Sequence, residues 1–250
     1  MAMLRSLSRP IANLARTPGR LARDTSGVAM LEFAFGMPIV LMLGLYGIEV
    51  ANQALLNLKI SQIALNLADN ASRVGLINNS NVEQLREVDM NDVLQAARNQ
   101  GAGINLTTRG RITVSSLERN AAGTQRIHWQ RCIGQKSGAG YDSTYTTTTT
   151  AGTDATPGNA GTLAPSGMDD TARPGSPVNA PTNGGVMFVE INYDYQPAIG
   201  NWLLTLIGSG SMKVHYVASF IVRDNRDFTQ IYNPVTTPLT QRATCNLYPA

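Results

Sequence analysis

From Val28 to Ile48 the only charged side chain is Glu32, and most of the other residues are large and apolar. About 20 helical residues at 1.5 Å each match a bilayer core of roughly 30 Å. Five arginines (Arg5, Arg9, Arg16, Arg20 and Arg23) precede the run with only Asp24 to oppose them, and no basic cluster follows it closely. Cytoplasmic segments next to a membrane span carry the excess of Arg and Lys. The pattern therefore predicts a cytoplasmic leader over 1–27, a transmembrane helix over 28–48 and a translocated domain over 49–250. A secretory signal peptide competes with this reading, but its apolar region would be shorter and would end at a small-x-small cleavage site. Here the apolar character continues past Glu49 in a helical pattern.

The formal net charge of +3 and pI near 9.0 arise largely in the leader, and the rest of the chain is close to neutral. That asymmetry argues for membrane topology and against a nucleic-acid surface. Cys132 and Cys245 both fall on the translocated side, where an oxidising compartment favours pairing. A bridge closing so long a loop is worth about 4–5 kcal/mol in the chain-entropy treatment, an upper figure because strain is ignored. Two unrelated thiols remain the alternative reading.

Beyond the membrane run, Ala51, Ala54, Leu55, Leu58, Ile63, Leu65 and Ala68 recur at mostly helical spacing between polar residues. One helix is predicted from about Val28 to Val74, apolar all round at first and then amphipathic, stopping at Gly75. A second helix is predicted over Val88 to Asn99, with Asp89 or Asn91 as its cap and Gly101 and Gly103 as stops. Residues 111–118 and 126–133 read as a hairpin, and 186–195 and 212–223 as strands. In 186–195 the alternation places Met187, Val189, Ile191, Tyr193 and Tyr195 on one face. In 212–223 it does the same for Met212, Val214, Tyr216, Ala218, Phe220 and Val222. Such alternation describes half-buried antiparallel strands with one face open to a helix. Residues 134–185 are rich in Thr, Gly, Ala and Pro and poor in core-filling side chains, so a mobile surface insertion is expected there. It is either a tolerated insertion without a task or a glycosylated or adhesive loop.

A carboxylate near mid-bilayer costs a few kcal/mol on insertion scales, so Glu32 calls for a role. If the chain were cut after Gly27, Val28 would carry a free ammonium one helical turn from Glu32, on the same face. The same ammonium on a neighbouring molecule would also pair with it. The cut would remove the arginines that hold the chain in the inner leaflet.

The stretch "GVAMLEF", Gly27 to Phe33, resembles the processing motif of type IV pilin-like proteins. In these a prepilin peptidase cuts after the glycine, and a glutamate stands at the fifth mature position. The wider stretch through Pro38 and Gly47 to Glu49 is similar to the TadE/TadG-type minor pilins, or pseudopilins, of the tight-adherence (Tad/Flp, type IVc) pilus system. Residues 189–225 are similar to that family's closing pattern of a tyrosine-bearing strand, Pro, an apolar stretch and an alternating strand ending in Val-Arg. The resemblance implies an α+β, pilin-like fold in which a long N-terminal transmembrane and amphipathic helix packs on a C-terminal antiparallel sheet. It assigns Gly27, Val28, Glu32 and Phe33 to peptidase processing, and Glu32 and Pro38 to the assembly helix. The implied partners are a prepilin peptidase, other Tad pilins and pseudopilins, the inner-membrane assembly platform and membrane lipid. The implied location is the bacterial inner membrane with a periplasmic domain. The long translocated domain sets the chain apart from the short, helical major subunits and places it with the minor ones.

Pro38 removes a backbone hydrogen bond to Ala34, so a kink or local melting is expected, either as pliability for packing or as a proline that membrane helices tolerate. Gly36, Gly44 and Gly47 form no strict GxxxG motif. The stretch 201–208, headed by Trp202, reads as a short helix over the sheet or an interfacial segment. His128 and His215 are the only histidines, and neither they nor Asp169 and Asp170 have metal-ligand spacing. No nucleophile motif or phosphate loop stands out. The expectation is an assembly component without cofactor or enzymatic activity. A membrane-anchored periplasmic binding or sensor module that is never cleaved is the alternative.

Overall fold

The computed structural model describes residues 26–145, 156–198, 200, 212–233 and 241–250. The leader arginines, Trp202 with its apolar stretch and the threonine tract at 146–150 lie outside the described residues. The chain forms two units, residues 1–50 and 51–250.

Helix α1 runs unbroken from Ser26 to Arg73, 48 residues including Pro38. The local melting expected at Pro38 does not occur. In the first unit the large apolar side chains are exposed, with Phe33 at 65%, Phe35 at 69% and Leu43 at 66%. So continuous an apolar surface is untenable in water and suits lipid or neighbouring helices. By length and composition, α1 is sufficient to cross a membrane.

In the second unit α1 buries Ile60, Ile63, Ala64, Leu67, Ala68 and Ala71, which recur every three or four residues along one stripe. Leu55, Leu58 and Leu65, expected on the same stripe as Ile63, lie instead on the exposed side at 65%, 55% and 43%. The glycine stop also requires correction. The helix ends at Arg73, and Gly75 keeps an ordinary φ. Its missing Cβ makes room for the Glu83 side chain, which a Cβ would strike.

Strands β1 (Leu76–Ile77) and β2 (Glu83–Gln84) form a small antiparallel ribbon that periodicity could not reveal. Helix α2 follows over Glu87–Gly101. It begins before the expected start, with Arg86 as the flanking residue. Asp89 is at the third helical position, where its Oδ2 accepts from the Arg86 N–H at 3.0 Å. Glu87 and Asp89 place negative charge in the first turn, where the helix dipole favours it. A 3₁₀ turn (Ala102–Ile104) and a one-turn helix, α3 (Leu106–Arg109), then lead to the sheet. The sharp step between them is made by Asn105, at φ 53°, and not by either glycine.

The main sheet has five strands, β3 (Gly110–Arg119), β4 (Gln125–Ile133), β5 (Thr162–Leu163), β6 (Gly184–Tyr195) and β7 (Met212–Ile221), in the order β5-β4-β3-β6-β7. Every pairing is antiparallel. The fold class is therefore α+β, a long N-terminal apolar helix and a five-stranded antiparallel sheet, with the second half of α1 and α2 packed on one face. That face carries Ile112, Val114, Trp129, Met187, Val189, Ile191 and Tyr193.

The half-buried reading holds for β7 but is corrected for β6, which like β3 and β4 is buried on both faces. The cover on the second face comes from within 134–185. Ala164, Met168 and Ala180 pack with Leu117, Ile127, Val186 and Phe188 in a second core, with Tyr145 and Val178 at its edge. The stretch that was expected to offer nothing to a core thus supplies one wall. Gln125 anchors it, donating from Nε2 to the Ala164 carbonyl at 2.9 Å and accepting from the Ala180 N–H at 2.7 Å.

Candidate functional site

Gly27, Val28, Glu32 and Phe33 lie on the first two turns of α1 and are exposed. A Cβ on Gly27 would meet nothing within 4 Å, so packing inside this chain does not require glycine there. The Gly27–Val28 bond lies at the start of the described part of α1. Val28 and Glu32 are separated by one turn on the same face. Pro38 lies further along the same exposed helix.

Cys132 and Cys245 form a disulfide across 113 residues, with a Cα separation of 4.8 Å. The bridge ties the C-terminal segment to the edge of β4, and backbone bonds reinforce it. Cys132 N–H donates to Ala243 at 2.7 Å and Gly134 N–H to Pro249 at 3.0 Å. The fully buried Arg111 completes the attachment. Its Nη1 donates to the carbonyls of Gly134 (2.9 Å) and Leu247 (2.8 Å), its Nη2 to Cys245 (2.5 Å), and its guanidinium stacks 4.1 Å from the Tyr248 ring centre. Burial pulls the Arg111 pKa down, although the nearby Asp142 opposes this.

Two further buried ion pairs hold the helices to the sheet unit. Arg131 on β4 donates to both Glu87 oxygens of α2, at 2.9 and 2.5 Å. Arg226 donates to Glu83 at 3.0 Å and to the α1 carbonyls of Ala71 and, just past the helix end, Val74. Burial pushes the Glu83 carboxyl above its ordinary range even against that guanidinium.

The second face of the sheet carries a polar layer next to its apolar core. Glu190 accepts from the Ser143 hydroxyl, and Gln130 donates to Ser115 (3.0 Å) and the Tyr145 carbonyl (2.8 Å). His215 Nδ1 lies 2.5 Å from Asn192 Oδ1, and its Nε2 lies 3.2 Å from Asp170. Burial raises the Glu190 pKa to about 7, with Asp170 adding to the shift and the Ser143 bond opposing it. Burial lowers that of His215. Burial alone would also lower His128, but the bond to Glu118 at 2.8 Å outweighs it and the net shift is upward.

Among the described residues no group of three His, Cys, Asp or Glu side chains is gathered as a metal ion would require. The sequence-selected residues thus fall into two separate places, the exposed start of α1 and the bridge at the β4 edge. Sequence reasoning missed Arg111, Arg131, Arg226 and Glu190. For Glu190 a signal was available, a carboxylate between Val189 and Ile191 in an otherwise apolar strand; Arg226 lies outside every strand between Asn225 and Asp227, and nothing local marks it. The architecture is pilin-like, the apolar helix suggests an anchor or signal, and the disulfide suggests an extracytoplasmic domain. The chain matches no known protein family, no curated protein and no solved structure.

Proposed function

We propose that this chain is a pilin-like assembly subunit, a minor pilin or pseudopilin of a tight-adherence (Flp-type) pilus system. Its α1 is stored in the inner membrane, a prepilin peptidase cuts after Gly27, and the new Val28 ammonium pairs with Glu32 of the same or a neighbouring chain. Its partners are then other pilins and pseudopilins and the inner-membrane assembly platform, and its task is promoting pilus assembly and surface adhesion. The observation that carries this reading is one unbroken 48-residue helix, apolar and exposed in its first half and packed on an antiparallel sheet in its second. A helix of that design serves both as membrane store and as packing element.

The test is intact mass and terminal-peptide analysis of the membrane-bound and sheared forms, with and without the peptidase. A peptidase-dependent start at Val28 supports the reading. An N-terminus that keeps the arginines would sink it. A second reading, an uncleaved anchor bearing a binding module, is favoured by an open cleft of about 730 Å³ in the second unit.

A further inference from the structure

We infer that this cleft, at one end of the five-stranded sheet, binds an acidic saccharide, a hydroxyl-rich chain bearing carboxylate or phosphate groups. Besides Arg226, which is buried and paired with Glu83, three arginines line it, Arg119, Arg126 and Arg223. The strand register brings them together. Arg119 ends β3 opposite Gln125 of β4 and Gly184 of β6, Arg126 pairs with Glu118, and Arg223 follows β7 two residues beyond Ile221, the partner of Val186.

No carboxylate lies within ion-pair distance of these three guanidiniums among the described residues, although seven other Lys or Arg side chains have one. The contrast is informative because the chain outside residues 1–25 has 15 Lys and Arg against 16 Asp and Glu. Uncompensated positive charge at one place is therefore local and does not reflect a generally basic domain. Two of the heads are oriented by carbonyls, Arg119 Nε to Gly123 at 3.2 Å and Arg126 Nη1 to Gly161 at 3.1 Å. Those contacts leave the other donors of each fork for an anion, which guanidinium recognises through paired hydrogen bonds.

The remaining lining is suited to hydroxyls. Asn120, Asn159 and Asn183 offer amide donors and acceptors, and the exposed Asp224 offers acceptors for sugar O–H groups. The other two acids of the cleft are already engaged, Glu118 by His128 and Ser116, and Asp227 by Thr229 and Tyr232. Among the described residues lining the cleft, Phe228 is the one Phe, Tyr or Trp, and the His128 ring is held by Glu118. A nucleic acid, which such grooves hold by stacking bases on several rings, fits it less well.

The inference does not rest on processing or filament entry, since it concerns the second unit whether or not the chain is cut. The experiment is calorimetric titration of the full chain in neutral detergent at physiological salt. The probes are a galacturonate hexamer, a phosphomannan hexamer, maltohexaose as the neutral control and a thymidylate hexamer. The expected result is binding of at least one acidic hexamer about tenfold or more tighter than maltohexaose, the scale of a few charge-assisted hydrogen bonds. The galacturonate and phosphomannan arms then distinguish carboxylate from phosphate. The triple variant Arg119→Gln, Arg126→Gln, Arg223→Gln should lose that preference. Lys59→Gln with Arg98→Gln should keep it, and the leader arginines contribute equally to all these chains. Arg223→Gln alone, at an exposed position that carries little of the fold, should weaken binding about threefold. No binding of either acidic hexamer, equal loss in the Lys59 and Arg98 variant, or tighter binding of thymidylate would each overturn the inference.

Discussion

Arg226 Nη2 lies 3.0 Å from Glu83 Oε1 and 2.8 Å from the carbonyl oxygen of Val74, and both side chains of the ion pair are buried. One guanidinium thus neutralises a buried acid and satisfies carbonyls that the end of α1 leaves without an N–H partner. Arg226→Met should cost about 3–5 kcal/mol, because it leaves an unpaired buried carboxylate and orphaned carbonyls together. Urea unfolding of the full chain in detergent measures this. A loss below 1 kcal/mol would mean that the pair is not the fastening of α1.

The bridge from Cys132 to Cys245 holds the segment whose carbonyls satisfy Arg111. Replacing both cysteines with serine should destabilise the chain by about 2–5 kcal/mol. Proteolytic nicking should then begin in residues 241–250. Wild-type protein treated with a dithiol should unfold at the midpoint of the double variant, and an unchanged midpoint after reduction would count against the bridge as a stabiliser.

Glu190 contributes a pH dependence whose sign follows from its burial. Its folded pKa of about 7 lies above the ordinary carboxylate value, so the folded state keeps a proton that the unfolded chain has lost. Stability from this group is therefore greatest at low pH, falls as pH rises from the ordinary carboxylate range to about 7, and is level above that. Between pH 5.5 and 8 the Glu190→Gln variant should escape a loss of about 2 kcal/mol that the wild type suffers. His215, lowered by burial, runs the other way and loses its contribution as pH falls below its ordinary range. Denaturant midpoints of both chains at several pH values separate the two, and parallel curves would show that Glu190 does not titrate as described.

Ala64 is fully buried against the sheet, whereas its neighbour Leu65 is 43% exposed. Ala64→Leu should cost about 1–3 kcal/mol by overpacking. Leu65→Ala should stay within about 0.5 kcal/mol. The reverse order in thermal melts would place the wrong face of α1 on the sheet.

Glu32→Ala should leave membrane insertion intact, since the run only becomes more apolar. On the proposed reading it should reduce incorporation into sheared filaments about tenfold, which 1.4 kcal/mol at an assembly contact is enough to cause. Immunoblots of membrane and filament fractions measure both, and normal filament content would remove the pairing with Val28.

The elements themselves were legible in the sequence because their periods are local properties. The apolar run and the 3.6-residue pattern predicted α1 to within two residues at its start and one at its end. Alternation predicted β3, β4, β6 and β7 with their pairing sense. The bridge was legible as an expectation because only two cysteines were present. The faces were less secure. Leu55, Leu58 and Leu65 fit a helical stripe as well as Ile60 and Leu67 do, and only the position of the sheet selects between them.

From the sequence alone came an apolar span with a lone acid, an α+β domain after it and two cysteines as candidates for one bridge. Tertiary structure decided which side of each element is inside. Ile127 and Trp129 are two apart and would share a face in a regular strand, yet Ile127 belongs to the second core and Trp129 to the first. The register shift that pairs Ser116 with Trp129 and Leu117 with Ile127 inserts His128 as an extra residue and reverses the alternation beyond it. Likewise, Arg111, Arg131 and Arg226 are buried because carbonyls or carboxylates distant in the chain receive them. Composition and period carry no information about such partners. They report what one segment prefers in isolation, while burial of a charge or a change of face depends on what folds against it.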